Sequence, residues 1–202
     1  MAQILKPDFA AGKAALSGGA ETNKPQVPIY QLKIDISFTD PLVWRQIQVS
    51  GAQSLAELHR ILQICLGWGD DHEHQFLVGK VFYKSCRSSD DTSETGSRHD
   101  DESRVSLQEL AEAMKFIFTY IYDAGPGWEG EITLEEVLPG SREYFAPRLL
   151  AGAGTVDEAV GSGVATAGLD LDEINLRLAA CSSTFRQAGQ IFSGGKFTGS
   201  KR

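Results

Sequence analysis

The stretch from Ser54 to Tyr83 constrains the fold most, because it marks both ends of a helix and then changes its hydrophobic period. Ser54 and Glu57 have the spacing of a capping box, in which the two side chains accept hydrogen bonds from amides that the first turn leaves unpaired. Apolar residues then recur every three or four positions as far as Leu66. Gly67 follows them, and a glycine there predicts that the helix ends with a residue in the left-handed conformation. The sequence therefore predicts an amphipathic helix with one face on a core.

After this helix the hydrophobic period falls to two. His72, His74 and Phe76 alternate with polar neighbours, which predicts a strand with both histidines on its buried face. The pair Gly79-Lys80 then predicts a tight turn into a second short strand.

Similar patterns predict the rest of the fold. Alternation is cleanest from Tyr30 to Phe38, and a second capping box, Ser106 with Glu109, starts a short helix. We expect an α+β single domain, with a mostly antiparallel sheet of about five to six strands and two to three packed helices. Strands are predicted over residues 30–38, 42–49, 72–78, 81–83, 116–122 and 129–137, and helices over 54–66, 105–114 and 169–180.

The segments outside these elements set the domain boundaries. We predict that residues 1–28 form a mobile arm, that residues 29–180 form the domain, and that residues 181–202 form a basic flexible tail. Within the domain, the charged and serine-rich residues 84–104 predict a disordered insertion. Residues 139–168 are rich in glycine and show no sustained period, with short helical pieces at 147–151 and 156–160 as the best interpretation.

Charge is distributed unevenly along the chain. The net charge is −8, and the residues from Ile174 onward hold five bases and no acids, which leaves −13 on residues 1–173. An acidic body repels phosphate backbones. The tail mixes phenylalanine with lysine and arginine, as do protein segments that bind single-stranded nucleic acid. An idle solvated tail has the same composition. The bases proposed for such contacts are Arg186, Lys196, Lys201 and Arg202.

Cysteine content and hydropathy favour the cytoplasm. The three cysteines form no CxxC pair, so they predict neither a disulfide framework nor a zinc knuckle. No apolar run approaches the roughly 20 residues that span a bilayer, and no signal peptide is indicated. We expect no membrane partner.

The histidines offer one candidate for chemistry. Side chains two apart on a strand project to the same side, so His72 and His74 could share a divalent transition metal with His59 or Asp123. Such a site would serve a metal-dependent hydrolase. His72 and His74 would also suit a core in which they are hydrogen-bonded to Asp71, Asp123 or a tyrosine and fix the fold.

Aromatic residues offer a second candidate. They mark a small-molecule pocket or an interaction surface, or else anchor the core. The aromatic residues concerned are Trp44, Trp68, Tyr120 and Trp128, and the charged neighbour of Trp44, Arg45, is grouped with them. No Gly-x-Ser-x-Gly elbow or placed cysteine nucleophile accompanies them, so no catalytic residue is assigned.

Five motifs in order resemble the plasmid pRiA4b open-reading-frame-three-like family. They are Y-x-L-x-I at Tyr30, VWRQIQV from Val43, SLAELHRILQICLGW from Ser54, HEHQF from His72 and YDAGPGWEGEITLEEVLP from Tyr122. The resemblance implies a compact α+β domain, often found on plasmids and near transposable elements, without an established activity. This chain departs from the family's hairpin pattern at three positions. The pattern's phenylalanine is replaced by Ala124, its second aspartate by Pro126 and its histidine by Gly130.

The prediction for function is therefore a non-catalytic interaction module of a plasmid- or mobile-element-associated protein, which binds a protein or a nucleic acid. The chain is not expected to be an enzyme and needs no cofactor on this interpretation. The alternative is the metal-dependent hydrolase centred on His72 and His74.

Overall fold

The computed structural model describes residues 26–69, 72–85, 99–113, 117–123, 127–141, 144–157, 162–164 and 169–193. Eight of its strands form one sheet, in the spatial order β5-β4-β3-β6-β7-β1-β2-β8, in which only β4 and β5 run parallel. The strands of this sheet are β1 Val27–Ile36, β2 Val43–Ser50, β3 His74–Val78, β4 Val81–Lys84, β5 His99–Asp101, β6 Ile117–Tyr122, β7 Trp128–Ser141 and β8 Arg148–Ala153. A separate ribbon pairs β9 Thr155–Asp157 with β10 Ser162–Val164.

The described residues also form three α-helices: α1 Leu55–Leu66, α2 Leu107–Ala113 and α3 Leu171–Ser193. The capping box predicted for α1 is present, since the Glu57 amide donates to Ser54 Oγ and the Ser54 amide donates to Glu57 Oε2 at 2.8 Å. Gly67 ends the helix at φ 78°, as predicted. The second capping box, at Ser106 and Glu109, opens α2.

One hydrophobic core lies between the sheet and the helices. The alternate residues Leu32, Ile34 and Ile36 of β1 are fully buried, while their neighbours face outward. They belong to the same cluster as the apolar stripe of α1 and Leu178 of α3. The expected α+β class, antiparallel pairing and single domain are confirmed. The sheet has eight strands instead of five to six, because β5 and β8 extend its two edges.

The prediction that residues 84–104 are disordered is wrong at the C-terminal end of this segment. Residues 99–101 form β5, and Asp101 accepts a hydrogen bond from the Ser103 amide to begin a 3₁₀ turn over Glu102–Arg104. Glu102 is buried inside the domain. The composition of this segment predicted disorder, but its contacts with the core offset the entropy cost of ordering it. Residues 86–98 lie outside the described part of the chain.

The helical pieces predicted near the domain's end are also wrong. Residues 148–153 form β8 beside β2, and residues 155–157 form β9, while 158–161 lie outside the described residues. The Asn175 side chain of α3 accepts a bond from the Leu149 amide and donates to the Leu149 carbonyl. A helix residue thus occupies the place of a ninth strand, which local sequence cannot indicate.

Helix α3 continues to Ser193, beyond the predicted end at Ala180. The domain boundary expected at residue 180 thus falls inside a helix, and the part of the predicted flexible tail up to 193 is helical. Residues 1–25 of the predicted arm and 194–202 of the tail lie outside the described residues. No helix in the described ranges is long and apolar enough to cross a membrane.

Candidate functional site

A buried polar cluster joins α1 to the sheet. His59 of α1 stacks on His74 of β3, with ring centroids 3.3 Å apart and ring planes within 3° of parallel. His59 Nδ1 shares a hydrogen bond of 2.8 Å with the hydroxyl of Tyr120 in β6, and His74 Nε2 lies 2.9 Å from Glu102 Oε2. His59, Glu102 and Tyr120 are all buried, so the cluster is part of the core.

The other two predicted metal ligands lie apart from this cluster. His72 precedes β3 and is exposed, with its ring edge against Tyr122, so the prediction that it shares a buried strand face with His74 is wrong. The strand begins two residues later than the alternation suggested. Asp123 is exposed as well, and its amide donates to the carbonyl of Glu73. The described residues contain no group of three His, Cys, Asp or Glu side chains that could hold a metal ion.

Gly130 stands where the family pattern has a histidine, on the buried face between Ile36 and Tyr120. A Cβ atom there would meet the side chains of Ile36 and Ile34 at 3.3 and 3.4 Å. The aliphatic core of β1 therefore fills this space, and the chain has no imidazole at this position.

Three of the predicted aromatic residues come together beyond the end of α1. Trp68 stacks on Tyr122 at 4.8 Å between centroids, and Tyr120 and Trp128 each lie 6.4 Å from Trp68. The Tyr122 hydroxyl donates to the carbonyl of Gly69. The indole Nε1 atoms of Trp68 and Trp128 are buried without a hydrogen-bond partner among the described residues. An unpaired buried donor costs about 1–3 kcal/mol, so the packing of these rings must offset that cost.

Trp44 and Arg45 lie elsewhere, on β2. Trp44 is partly exposed beside Lys33, with the ammonium 6.0 Å from the ring centroid. Arg45 is fully buried and donates to the backbone carbonyls of Cys65, Trp44, Ala153 and Gly154. Arg45 therefore stabilises the fold through these hydrogen bonds and offers no surface to a ligand.

One end of the sheet carries exposed side chains on neighbouring connections, and we call it the loop end. It consists of residues 37–42 between β1 and β2, 72–73 before β3, Asp123 after β6, and 127–129 at the start of β7. Pairing places these segments side by side, since Tyr122 is opposite both Trp128 and His74, and the Ser37 amide donates to the Glu129 carbonyl.

Phe38 at the loop end is the residue that sequence reasoning missed. Its side chain is 97% exposed, and its backbone has φ 61°, in the left-handed region. Leu42, on the other side of the same turn, is 49% exposed. The sequence signal was a phenylalanine directly before the turn Thr39-Asp40-Pro41, but alternation from Tyr30 placed it with the buried residues of β1.

The tail residues proposed for nucleic-acid contacts are only partly described. Arg186 lies in α3, whose side chains are described only as far as Ser182. Lys196, Lys201 and Arg202 lie outside the described residues.

The fold and the buried cluster define an α+β domain whose mostly antiparallel eight-stranded sheet is tied to its first helix by stacked histidines. The chain belongs to the plasmid pRiA4b ORF-3-like protein family, whose model matches residues 28–165. It is 30% identical over 112 residues to the uncharacterized protein y4hQ of Sinorhizobium fredii, a match that covers 55% of each chain. The chain thus spans about half the length of that relative.

A solved structure has a similar fold. The crystal structure of a protein of unknown function from Methanosarcina mazei Go1 superposes with a TM-score of 0.56 at 25% identity. The superposition covers 68% of this chain and 76% of the other.

Proposed function

We propose that the domain is a non-catalytic binding module and that its loop end binds another protein. The observation that carries this proposal is Phe38, a large apolar side chain almost wholly in solvent. Phe38 and the half-exposed Leu42 lie in the same turn among polar residues, and exposed apolar patches with a polar rim are a feature of protein interaction sites. We further propose that the module works in the cytoplasm in a plasmid or mobile-element setting, which the family membership supports.

The backbone of Phe38 adds a second cost to its exposure. A bulky residue in the left-handed region is strained by about 1–3 kcal/mol, whereas glycine or asparagine takes the same conformation easily. Within the domain Phe38 gains almost no burial that would offset this strain. A phenylalanine at this position thus costs the isolated domain stability, and contact with a partner would recover that cost.

The contacts of the histidines also support a non-catalytic role. His74 is engaged by Glu102 and His59 by Tyr120, and all four side chains are largely buried. For His74 this arrangement resembles the hydrogen-bonded core that the sequence offered as the other interpretation, but with Glu102 as the carboxylate, and the exposed His72 takes no part in it. The metal-dependent hydrolase stays a prediction, and none of the described contacts favours it over the binding module.

Site-specific photo-cross-linking tests the proposal. A benzophenone amino acid is placed at position 38 of the full chain, and in a matched variant at position 80, in the exposed β3–β4 turn. Both proteins are expressed in the organism that carries the chain and irradiated. We expect a discrete adduct with one protein from position 38 and none from position 80.

The captured protein must then bind in purified form. In a direct titration, the wild-type chain should bind it at least about tenfold more tightly than Phe38→Ser, because apolar anchors at interface centres contribute 1.4 kcal/mol or more. Adducts of equal yield from both positions, or equal affinities of the two chains, would overturn the proposed function.

A further inference from the structure

The charges around Phe38 indicate the chemistry of the partner, an inference that rests on the proposed function. We infer that the partner presents a basic segment with an apolar side chain, which lies across the loop end with its bases against a row of carboxylates. The apolar side chain packs against Phe38 and Leu42.

The carboxylates of the loop end follow the order of the strands. Asp40 lies in the β1–β2 turn, Glu129 at the start of β7, Asp123 after β6 and Glu73 before β3, and all four are exposed. Hydrogen bonds fix neighbours in this row, from the Ser37 amide to the Glu129 carbonyl and from the Asp123 amide to the Glu73 carbonyl. The row therefore crosses the ends of four adjacent strands, β1, β7, β6 and β3.

No positive charge balances this row within the loop end. Residues 37–42, 72–73, 123 and 127–129 include no lysine or arginine. Lys33, farther along β1, is 2.9 Å from Asp35 and already paired. The loop end thus presents a negative potential beside an apolar tip, which favours association with a positively charged surface.

The spacing of the row sets the length of the partner segment. Neighbouring strands lie about 4.8 Å apart, so the row from the turn that holds Asp40 to Glu73 spans about 15 Å. A helix of about 10 residues or an extended segment of about five covers that distance. The partner therefore needs only a short segment, with two or more bases beside one aromatic or branched aliphatic residue.

Other occupants of the loop end are disfavoured by the same charges. A symmetric contact with a second copy would bring the two rows of carboxylates together. Nucleic acids and anionic lipid surfaces carry the same sign of charge as the row. A basic peptide segment is the occupant that gains from both the apolar tip and the carboxylates.

Peptide display on the full chain tests the inference. A random library of about 12-residue peptides is selected on the wild-type chain and depleted on Phe38→Ser. Enriched peptides should carry more lysine and arginine than the starting library, next to an apolar residue. Their affinity should fall about tenfold between about 50 and 300 mM salt, and about tenfold in a variant with Asp40→Asn, Glu73→Gln, Asp123→Asn and Glu129→Gln.

The outcomes separate the two proposals. Phe38-dependent peptides without excess bases, or with affinities that neither salt nor the neutral variant changes, would refute the basic partner and leave the binding module intact. Absence of any Phe38-dependent peptide would count against the proposed function itself. Self-association of the wild type that Phe38→Ser abolishes, measured by sedimentation, would assign the loop end to a second copy and refute the basic partner.

Discussion

His59 and His74 connect α1 to β3 by a close stack, with ring centroids 3.3 Å apart. Glu102 Oε2 lies 2.9 Å from Nε2 of His74 and ties η1, the 3₁₀ turn over Glu102–Arg104, to this stack. These contacts hold η1 against α1 and β3.

Removal of either member of the His74–Glu102 pair should destabilise the domain. His74→Ala leaves a buried carboxylate without its partner, and Glu102→Ala leaves a buried imidazole without its acceptor. We expect each to lower the free energy of unfolding by about 3 kcal/mol, and the double variant to lose about 1–3 kcal/mol less than their sum. Urea unfolding of the four proteins measures this coupling.

His72→Ala is the matched control for this cycle, because His72 is exposed and two residues away. It should change stability by less than about 0.5 kcal/mol. If His72→Ala costs as much as His74→Ala, or if the two single effects of the pair simply add, the coupled core cluster is wrong.

Phe38→Gly should stabilise the domain although it removes a large side chain. Glycine relieves the left-handed strain, and an almost fully exposed ring contributes little packing, so we expect a gain of about 1 kcal/mol in the free energy of unfolding. Equilibrium unfolding in urea gives the difference, and the stabilised variant should have lost its partner.

Two further substitutions test the cause. Phe38→Asn, which tolerates the same conformation, should also stabilise, whereas the β-branched Phe38→Val should destabilise. A Phe38→Gly protein that is less stable than the wild type would show that the ring packs within the domain.

The residues of the cluster differ in how far the sequence predicts them. His59, His74 and Tyr120 lie on elements with clear periodicity, so their meeting could be expected. Glu102 lies in a charged serine-rich run, where composition predicts no order, and only its tertiary contact with His74 fixes it. The exposure of Phe38 was hidden because the sequence alternation continues through it, whereas strand β1 ends two residues earlier, at Ile36.

At the scale of elements, Arg45 connects β2 to the C-terminal end of α1 and to β8. Its Nε donates to the Cys65 carbonyl, one of the carbonyls that the last helical turn leaves unpaired, and its other donors reach Ala153 and Gly154. A positive charge at this end of a helix is also favoured by the helix dipole. Burial lowers the pKa of the guanidinium, while the Coulombic interaction with Cys65 acts in the opposite direction.

Cys65 beside Arg45 should make stability depend on alkaline pH. Burial raises the pKa of the Cys65 thiol to about 12, against 9.0 for an ordinary thiol, while the charges of Arg45 and Arg177 act in the opposite direction. Between these pH values the unfolded chain loses a proton that the folded chain keeps. The stability that Cys65 contributes is thus complete below pH 9.0 and falls as pH rises towards about 12.

The measurement compares the wild type with Cys65→Ala, which cannot ionise at this position. Urea unfolding from about pH 8 to 11 should show the wild type losing about 1.4 kcal/mol per pH unit more than the variant above the ordinary thiol pKa. The cavity left by alanine shifts both ends of the curve equally, so only the slope matters. Parallel curves would mean that the thiol ionises in the folded protein.

The elements themselves follow from the sequence to an unequal degree. Strands β1, β2 and β6 and helix α1 have strong periodicity or caps, and the structure has them within a few residues of the predicted bounds. Strand β8 has the sequence RLLAGA, whose small residues indicate no period. It is a strand because β2 and Asn175 satisfy its backbone, and both partners are distant in sequence.

At the scale of the whole molecule, exposed carboxylates and an exposed apolar side chain lie together at one end of the sheet. The carboxylates and Phe38 share the loop end, whereas the described helices lie against the sheet as part of one core. The family match covers residues 28–165 and so includes every segment of the loop end. The solved structure from Methanosarcina mazei Go1 offers a natural comparison in which the length and charge of these connections can be set against those of this chain.

One edge strand of the sheet, β5, has a consequence for association between copies of the domain. It is three residues long, runs parallel to β4, and consists of a histidine and two aspartates. A short edge that carries carboxylates is a poor template for an incoming strand from another molecule, since pairing would bury or oppose those charges. This edge of the sheet therefore disfavours strand pairing between two copies of the domain.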